Sequence, residues 1–214
     1  GDKVMNSLDG VMVVGLTGQT GAGKTTVCGA FESNGFTVIN ADLIAREVMR
    51  KGLPCLVELA DCFSEKILTD NGELDRKYLS SIVFNDKCKL EQLNSICYPY
   101  ITSEILNQIK NNSDDGKKLI LLDAPTLFES RADDFCELII SVVAKQEIRL
   151  ERIMKRDGLS ESEAKNRIDS QLDEAFFKQN SDFIIKNNKG LDNLSAVAKE
   201  VSDKIKDYYN NKLI

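Results

Sequence analysis

Apolar and polar positions along the 214-residue chain follow two rhythms. Short apolar runs recur at Val11-Met12-Val13-Val14, Phe36-Thr37-Val38-Ile39-Asn40, Leu119-Ile120-Leu121-Leu122-Asp123 and Leu138 to Ala144. Phe183-Ile184-Ile185 is a weaker fifth. Runs of strand length without alternation predict strands buried on both faces, as in a parallel sheet. Between them the period changes to that of helices. Thr25 to Glu32 predicts a helix that stops at Asn34-Gly35, a pair suited to a C-terminal cap. A second, Leu43 to Arg50, stops before Gly52 and Pro54. From 55 to about 112 helical spacing dominates: Leu56, Leu59, Ala60 and Phe63, then Leu79, Ile82 and Val83, then Leu90, Leu93, Ile96 and Cys97. The turn Thr69-Asp70-Asn71-Gly72 separates the first group from the second. Roughly sixty helical residues between two strands exceed a simple crossover, which predicts an inserted helical subdomain over the ligand crevice. At the end, Leu191, Leu194, Ala198, Val201, Ile205 and Tyr208 recur every three or four residues. Over fewer than three heptads, this predicts a helix packed on a sheet more readily than a coiled-coil seam.

Composition narrows the class of function. With 42% apolar and 29% charged residues the chain reads as one soluble globular domain with inserted parts. A net charge of −6 makes non-specific nucleic-acid binding a poor reading. No apolar run approaches the roughly 20 residues of a membrane span, and Gly1 to Gly10 lacks an apolar signal core. The expectation is a cytoplasmic protein, with Gly1 an added residue and Met5 or Met12 the natural start. The six cysteines include no C-x-x-C pair, which argues against zinc and predicts that most are small buried hydrophobes. The chain has no histidine, so a general base must be a carboxylate or another group.

Gly15 to Thr26 carries the chemistry. Gly18, Gly23, Lys24 and Thr25 fill every fixed position of the phosphate-binding pattern G-x-x-x-x-G-K-[ST], between a predicted strand and a predicted helix. The loop Gly18, Gly21, Ala22, Gly23, Lys24, Thr25 and Thr26 is expected to wrap a nucleoside triphosphate. Backbone N–H groups and the helix dipole attract the anion, and Lys24 adds a full charge. Thr25 is placed to put its hydroxyl on a magnesium ion, and Asp123, at the end of a strand, to support the same metal. Asp42 also stands where a strand ends and a helix begins. That position suits a carboxylate in the crevice, and equally a helix N-cap. Arg46, four residues on, would share its helical face. From Lys145 to Arg167 acids and bases alternate, as on a solvated helix; yet Arg149, Arg152 and Arg156 fall on one face, as a lid over a triphosphate requires. The two readings stand level.

Taken together these segments resemble the dephospho-coenzyme A kinase family. The resemblance rests on Val14 to Thr26, Ala41-Asp42 with Ile44-Ala45-Arg46, and Gly72-Glu73-Leu74-Asp75-Arg76 followed by Ile82-Val83-Phe84. It continues through Leu93-Asn94-Ser95-Ile96, Asp123-Ala124-Pro125-Thr126-Leu127-Phe128-Glu129, Arg156-Asp157-Gly158, Arg167-Ile168 with Gln171, and Asn187-Asn188. It implies an α/β fold: a three-layer P-loop kinase core with a five-stranded parallel sheet, an inserted helical substrate subdomain and a helical lid. The core would be residues 11–42, 119–145 and 180–214, the coenzyme-binding part about 43–118, and the lid about 146–179. It implies transfer of a phosphoryl group from ATP, with Mg2+, to the 3′-hydroxyl of dephospho-coenzyme A, the last step of coenzyme A synthesis. By the same resemblance Asp42, Lys24 and Arg156 are catalytic, and Arg152 and Asn187 join the loop in binding nucleotide. Arg46, Arg76, Glu129 and Arg167 would bind the acceptor. The sequence departs from the family at Asn40, usually aspartate, at Tyr98, usually histidine, and at Thr126, usually leucine. The alternatives are another P-loop metabolite kinase, of nucleotide or shikimate type, or a nucleotide sensor without catalysis. A GTP switch lacks its guanine-reading carboxylate: Asn188-Lys189-Gly190 is followed by Leu191, and Asp192 comes one position late.

Overall fold

β1 (Met12–Gly18) is the spine of a five-stranded sheet ordered β2-β3-β1-β4-β5. The other strands are β2 (Thr37–Asn40), β3 (Leu119–Asp123), β4 (Leu138–Val143) and β5 (Phe183–Lys186). β1 runs parallel to β3 on one side, with Leu16 opposite Asp123, and to β4 on the other, with Leu16 opposite Ile140. The computed structural model describes residues 10–212; the expected start at Met5 lies outside them. All five strands fall on the apolar runs. β1, however, continues four residues past Val14, through two glycines. The reason is close approach: a Cβ on Gly15 would meet Cys136 Sγ at 2.8 Å, and one on Gly18 the Val142 carbonyl oxygen at 2.4 Å.

By contact the chain divides into two compact units, residues 1–39 with 111–214, and 40–110. In the first, Met12, Val14 and Leu16 alternate onto one face of the sheet, as a period of two demands. There they meet Val27 and Phe31 of α1 (Lys24–Ser33) and Leu194, Ala198, Val201 and Ile205 of α9 (Leu191–Lys212). Each such buried Val, Leu, Ile, Phe or Met side chain contributes about 1.5–3 kcal/mol. The final helix is thus packed on the sheet, and Leu191 and Tyr208, at the ends of its apolar series, are exposed. The stretch from 145 onward forms three helices, α6 (Gln146–Asp157), α7 (Glu161–Asp169) and α8 (Glu174–Asn180). Gly158, left-handed at φ 64°, ends the first, and Ser160 caps the second through Glu163 N–H.

The second unit is helical: α2 (Ala41–Val48), α3 (Pro54–Phe63), α4 (Arg76–Val83) and most of α5 (Lys87–Asp114). Its core gathers Cys55, Leu59, Ile67, Leu79, Val83 and Cys97. The 69–72 turn closes through Gly72 N–H on the Thr69 carbonyl at 2.8 Å. The cysteines divide: Cys55, Cys97 and Cys136 are buried, Cys28 is half-buried, and Cys62 and Cys88 are exposed. Burial of most therefore does not hold. Among the described residues, no helix is long and apolar enough to cross a membrane.

Candidate active site

The site is built where β1 gives way to α1. Gly23, at φ 104° in the left-handed region, turns the chain into the helix and brings no capping side chain. The first turn of α1 also has no acidic residue. By contrast α2, α4, α7 and α8 are each capped by a side-chain oxygen, from Asn40, Asp75, Ser160 and Asp173; of the other helices without such a cap, α3 opens on Pro54 and α6 carries Glu147 in its first turn. Thr26 N–H donates to the Gly23 carbonyl at 3.2 Å, and the N–H groups before it, with the positive dipole end of α1, are left for an anion from outside.

Around this end the charged groups are arranged in opposition. Lys24 Nζ donates to Asp123 Oδ1, both side chains being mostly buried. Asp123 ends β3 opposite Leu16, so the sheet register itself brings the carboxylate to the loop. Cys28, one helical turn beyond Lys24, shares the place; burial, with the Asp123 charge second, pushes its thiol up to about 11. Among the described residues no three histidine, cysteine or acidic side chains gather as a metal cage. That donor set fits magnesium, which typically takes one or two carboxylates and completes its shell with phosphate oxygens and water. The Asp123 carboxylate already holds a cation, the Lys24 ammonium, and Thr25 offers an exposed hydroxyl at the start of α1.

The phosphate loop is held from outside by residues of α6, of the link between α7 and α8, and of the position after β5. Arg149 Nε donates to the Thr20 carbonyl at 2.9 Å, and Arg152 Nη1 to that of Gly21 at 3.1 Å. Asn187 Nδ2 donates to that of Ala22 at 2.8 Å. Thr20 N–H donates to Gln171 Oε1 at 3.3 Å, and Gln171 Nε2 to the Thr20 hydroxyl. Gln19 Oε1 accepts from Ala144 N–H at 3.2 Å, tying the loop to the end of β4. Two arginines of the predicted one-sided row therefore do face the loop, but they meet its backbone. Arg156, the third, turns to Asp157 in a two-pronged pair with both bonds at 2.9 Å. Arg167, on α7, donates to the same carboxylate.

Those two guanidinium groups, Arg156 first, hold the Asp157 carboxyl down from the usual 3.8 to about 2. The stabilisation is present above about pH 4 and is lost as pH falls through the folded value. The stability difference between the parent and Asp157→Asn is thus expected to narrow between pH 4 and 2, measured by thermal melts. A difference that stays constant across that range would mean the carboxylate charge is not what holds the arginines.

The remaining site residues fall in different places. Asn40 supplies the cap of α2, accepting from Leu43 N–H at 3.0 Å, so the capping role open to Asp42 belongs to its neighbour. Asp42 is the second residue of α2, exposed, as is Arg46 one turn later. Arg76 opens α4 behind its Asp75 cap. Glu129 follows Phe128, whose ring meets Phe176 edge-on at 5.2 Å. Protein crowded around the Glu129 carboxyl raises its pKa, although the residue keeps much of its surface in solvent. The sequence singled out Arg149 only as part of a row, and Gln171 only within a pattern. Nothing in sequence announces a side chain whose partner is a backbone carbonyl.

Comparison with known proteins gives one consistent answer. The family model described as dephospho-CoA kinase matches residues 12–193. A dephospho-CoA kinase of Arabidopsis thaliana is 40% identical over 85% of this chain and 78% of its own length. One from Bacillus licheniformis is 37% identical over 90% of this chain and 96% of its own. Among solved structures, one from Thermus thermophilus superposes with TM-score 0.76 at 28% identity, covering 91% of this chain and 97% of that one. The dephospho-CoA kinase of Campylobacter jejuni gives TM-score 0.61 at 30% identity, with 92% and 98% covered.

Proposed function

Because the chain belongs to the dephospho-CoA kinase family, we infer that it transfers the γ-phosphoryl group of ATP to the 3′-hydroxyl of dephospho-coenzyme A. The observation that carries the reading is the start of α1, entered through a left-handed glycine with no capping side chain and no acidic residue in its first turn, with Lys24 and Asp123 beside it. An anion bound there draws the Lys24 ammonium off Asp123 and onto the phosphates. The freed carboxylate and the Thr25 hydroxyl would hold Mg2+, which supplies charge neutralisation between the phosphates. In the transfer the acceptor oxygen bonds to the γ-phosphorus as the bond from that phosphorus to the β-phosphate oxygen breaks, and ADP leaves. Lys24 and the loop N–H groups offset charge on the group in flight.

Asp42 is the base in this reading. It stands two residues beyond β2 with its carboxylate unspent on capping, and the chain has no histidine to take the proton instead. Arg46 orients it or holds acceptor phosphate, with Arg76, Glu129 and Arg167 as further acceptor contacts. Arg156, released from Asp157, is the arginine for the transferring phosphate; its planar fork suits phosphate as it suits the carboxylate it now holds. A coupled ADP-release assay decides among acceptors. Turnover with dephospho-coenzyme A is expected to exceed that with shikimate or nucleoside monophosphates by orders of magnitude. Preference for either of the others would overturn the assignment.

A further inference from the structure

Three consecutive carbonyls of the phosphate loop, those of Thr20, Gly21 and Ala22, are each taken from outside by a side chain: Arg149, Arg152 and Asn187. In a planar trans peptide the N–H points opposite to the carbonyl. Holding these three carbonyls therefore aims the N–H groups of Gly21, Ala22 and Gly23 to the other side of the chain. The Ala22 N–H closes a turn on the Gln19 carbonyl at 3.0 Å, which leaves those of Gly21 and Gly23 directed inward. Both glycines have positive φ, 78° and 104°, so this stretch has the conformational freedom to flip its peptide planes. A flipped plane would present a carbonyl oxygen to a phosphate.

We propose that Arg149 and Asn187 are positioning residues that lock the peptide planes of the phosphate loop in their anion-accepting orientation, Arg152 serving as a third and more exposed brace. Both of the first two are buried against the loop backbone, so the part expected of Asn187 in nucleotide binding would be played through the loop. Arg149 is 4% exposed and Asn187 1%, and each spends a donor on the loop. Each also keeps one buried polar atom without a partner, Arg149 Nη2 and Asn187 Oδ1. An apolar residue would fill either place without that penalty, so the bond to the loop is what each polar group adds. The fit is close: a Cβ on Gly23 would meet Asn187 Nδ2 at 2.5 Å. Gln171 completes the hold by engaging the Thr20 N–H and hydroxyl.

The proposal rests on the loop being the ATP site, but not on the identity of the acceptor, and the test separates the two. ADP and inorganic tripolyphosphate are titrated calorimetrically into the parent, Arg149→Lys and Asn187→Ser, with melting temperatures alongside. Arg149→Lys keeps the charge and loses the planar guanidinium, so charge alone would rescue binding and geometry would not. The expected result is a loss of about tenfold or more for both probes, the scale of a hydrogen bond to a charged group. The KM for ATP rises to match, while the KM for the acceptor stays unchanged. Binding within about twofold of the parent in a folded Arg149→Lys or Asn187→Ser would overturn the proposal. So would an equal rise in both KM values. If Arg149→Lys does not fold, Asn187→Ser decides alone. A parent that binds ADP tightly yet phosphorylates no acceptor would fail the kinase reading while the loop proposal still stood to be judged by these titrations.

Discussion

Lys24→Ala is expected to remove nearly all phosphoryl transfer, by about 10²–10³-fold or more, while the fold stays intact. The ammonium is the full positive charge at the start of α1, and the dipole and N–H groups that remain supply only partial charge. Its partner Asp123 would lose a neutralising cation, but the pair retains some solvent contact at 21% and 11% side-chain exposure, so water can take up part of the loss. The core beneath, from Val14 and Leu16 to Phe31, does not include the lysine. The measurement is kcat from ADP release, set beside a thermal melt. Near-normal turnover would remove Gly18 to Thr25 from the catalytic role.

Asp42→Asn is expected to lower kcat by about 10²–10⁴-fold, the usual contribution of a positioned base, with ATP affinity nearly unchanged. The cap of α2 is made by Asn40, so the substitution does not uncap the helix. It removes only a favourable charge in the first turn, worth about 0.3–1 kcal/mol. A large effect on rate therefore cannot be passed off as local unfolding. Asn40→Asp is the matched control: aspartate caps as well as asparagine, and the rate should hold. If Asp42→Asn keeps kcat within a few-fold, the base lies elsewhere, and Asp123 and Glu129 are the next to test.

What the sequence disclosed, and what it hid, follows from the kind of partner each residue has. The phosphate loop was legible because its glycines and lysine answer to a fixed ligand geometry. The five strands were legible because burial on both faces leaves unbroken apolar runs. The cap of α2 was open at Asp42 on a helix starting at Leu43; the helix starts at Ala41 instead, which moves the cap to Asn40. Asn40, which looked like a lost carboxylate, has a bond of its own. The arginine row was half legible. Helical spacing put Arg149, Arg152 and Arg156 together, but Gly158 ends the helix so that Asp157, at its last position, claims Arg156. Arg149 and Asn187 were illegible as braces because a carbonyl oxygen is the same at every residue.

The strand order has a consequence for how the protein is made. β1 leaves the ribosome about a hundred residues before its neighbours β3 and β4, which begin at Leu119 and Leu138. Until then Met12 to Leu16 is an apolar strand with both hydrogen-bonding edges unpaired, the form of chain most open to wrong pairing. The helical stretch of 40–110 lies between and has its own apolar core, so it is free to collapse locally while β1 waits. The phosphate loop waits longer still, since its last brace, Asn187, comes directly after β5, the last strand of the sheet in chain order. A nascent chain released early can therefore carry the whole nucleotide-binding motif and still be unable to bind nucleotide, which makes ATP itself a late, product-selective stabiliser of finished molecules.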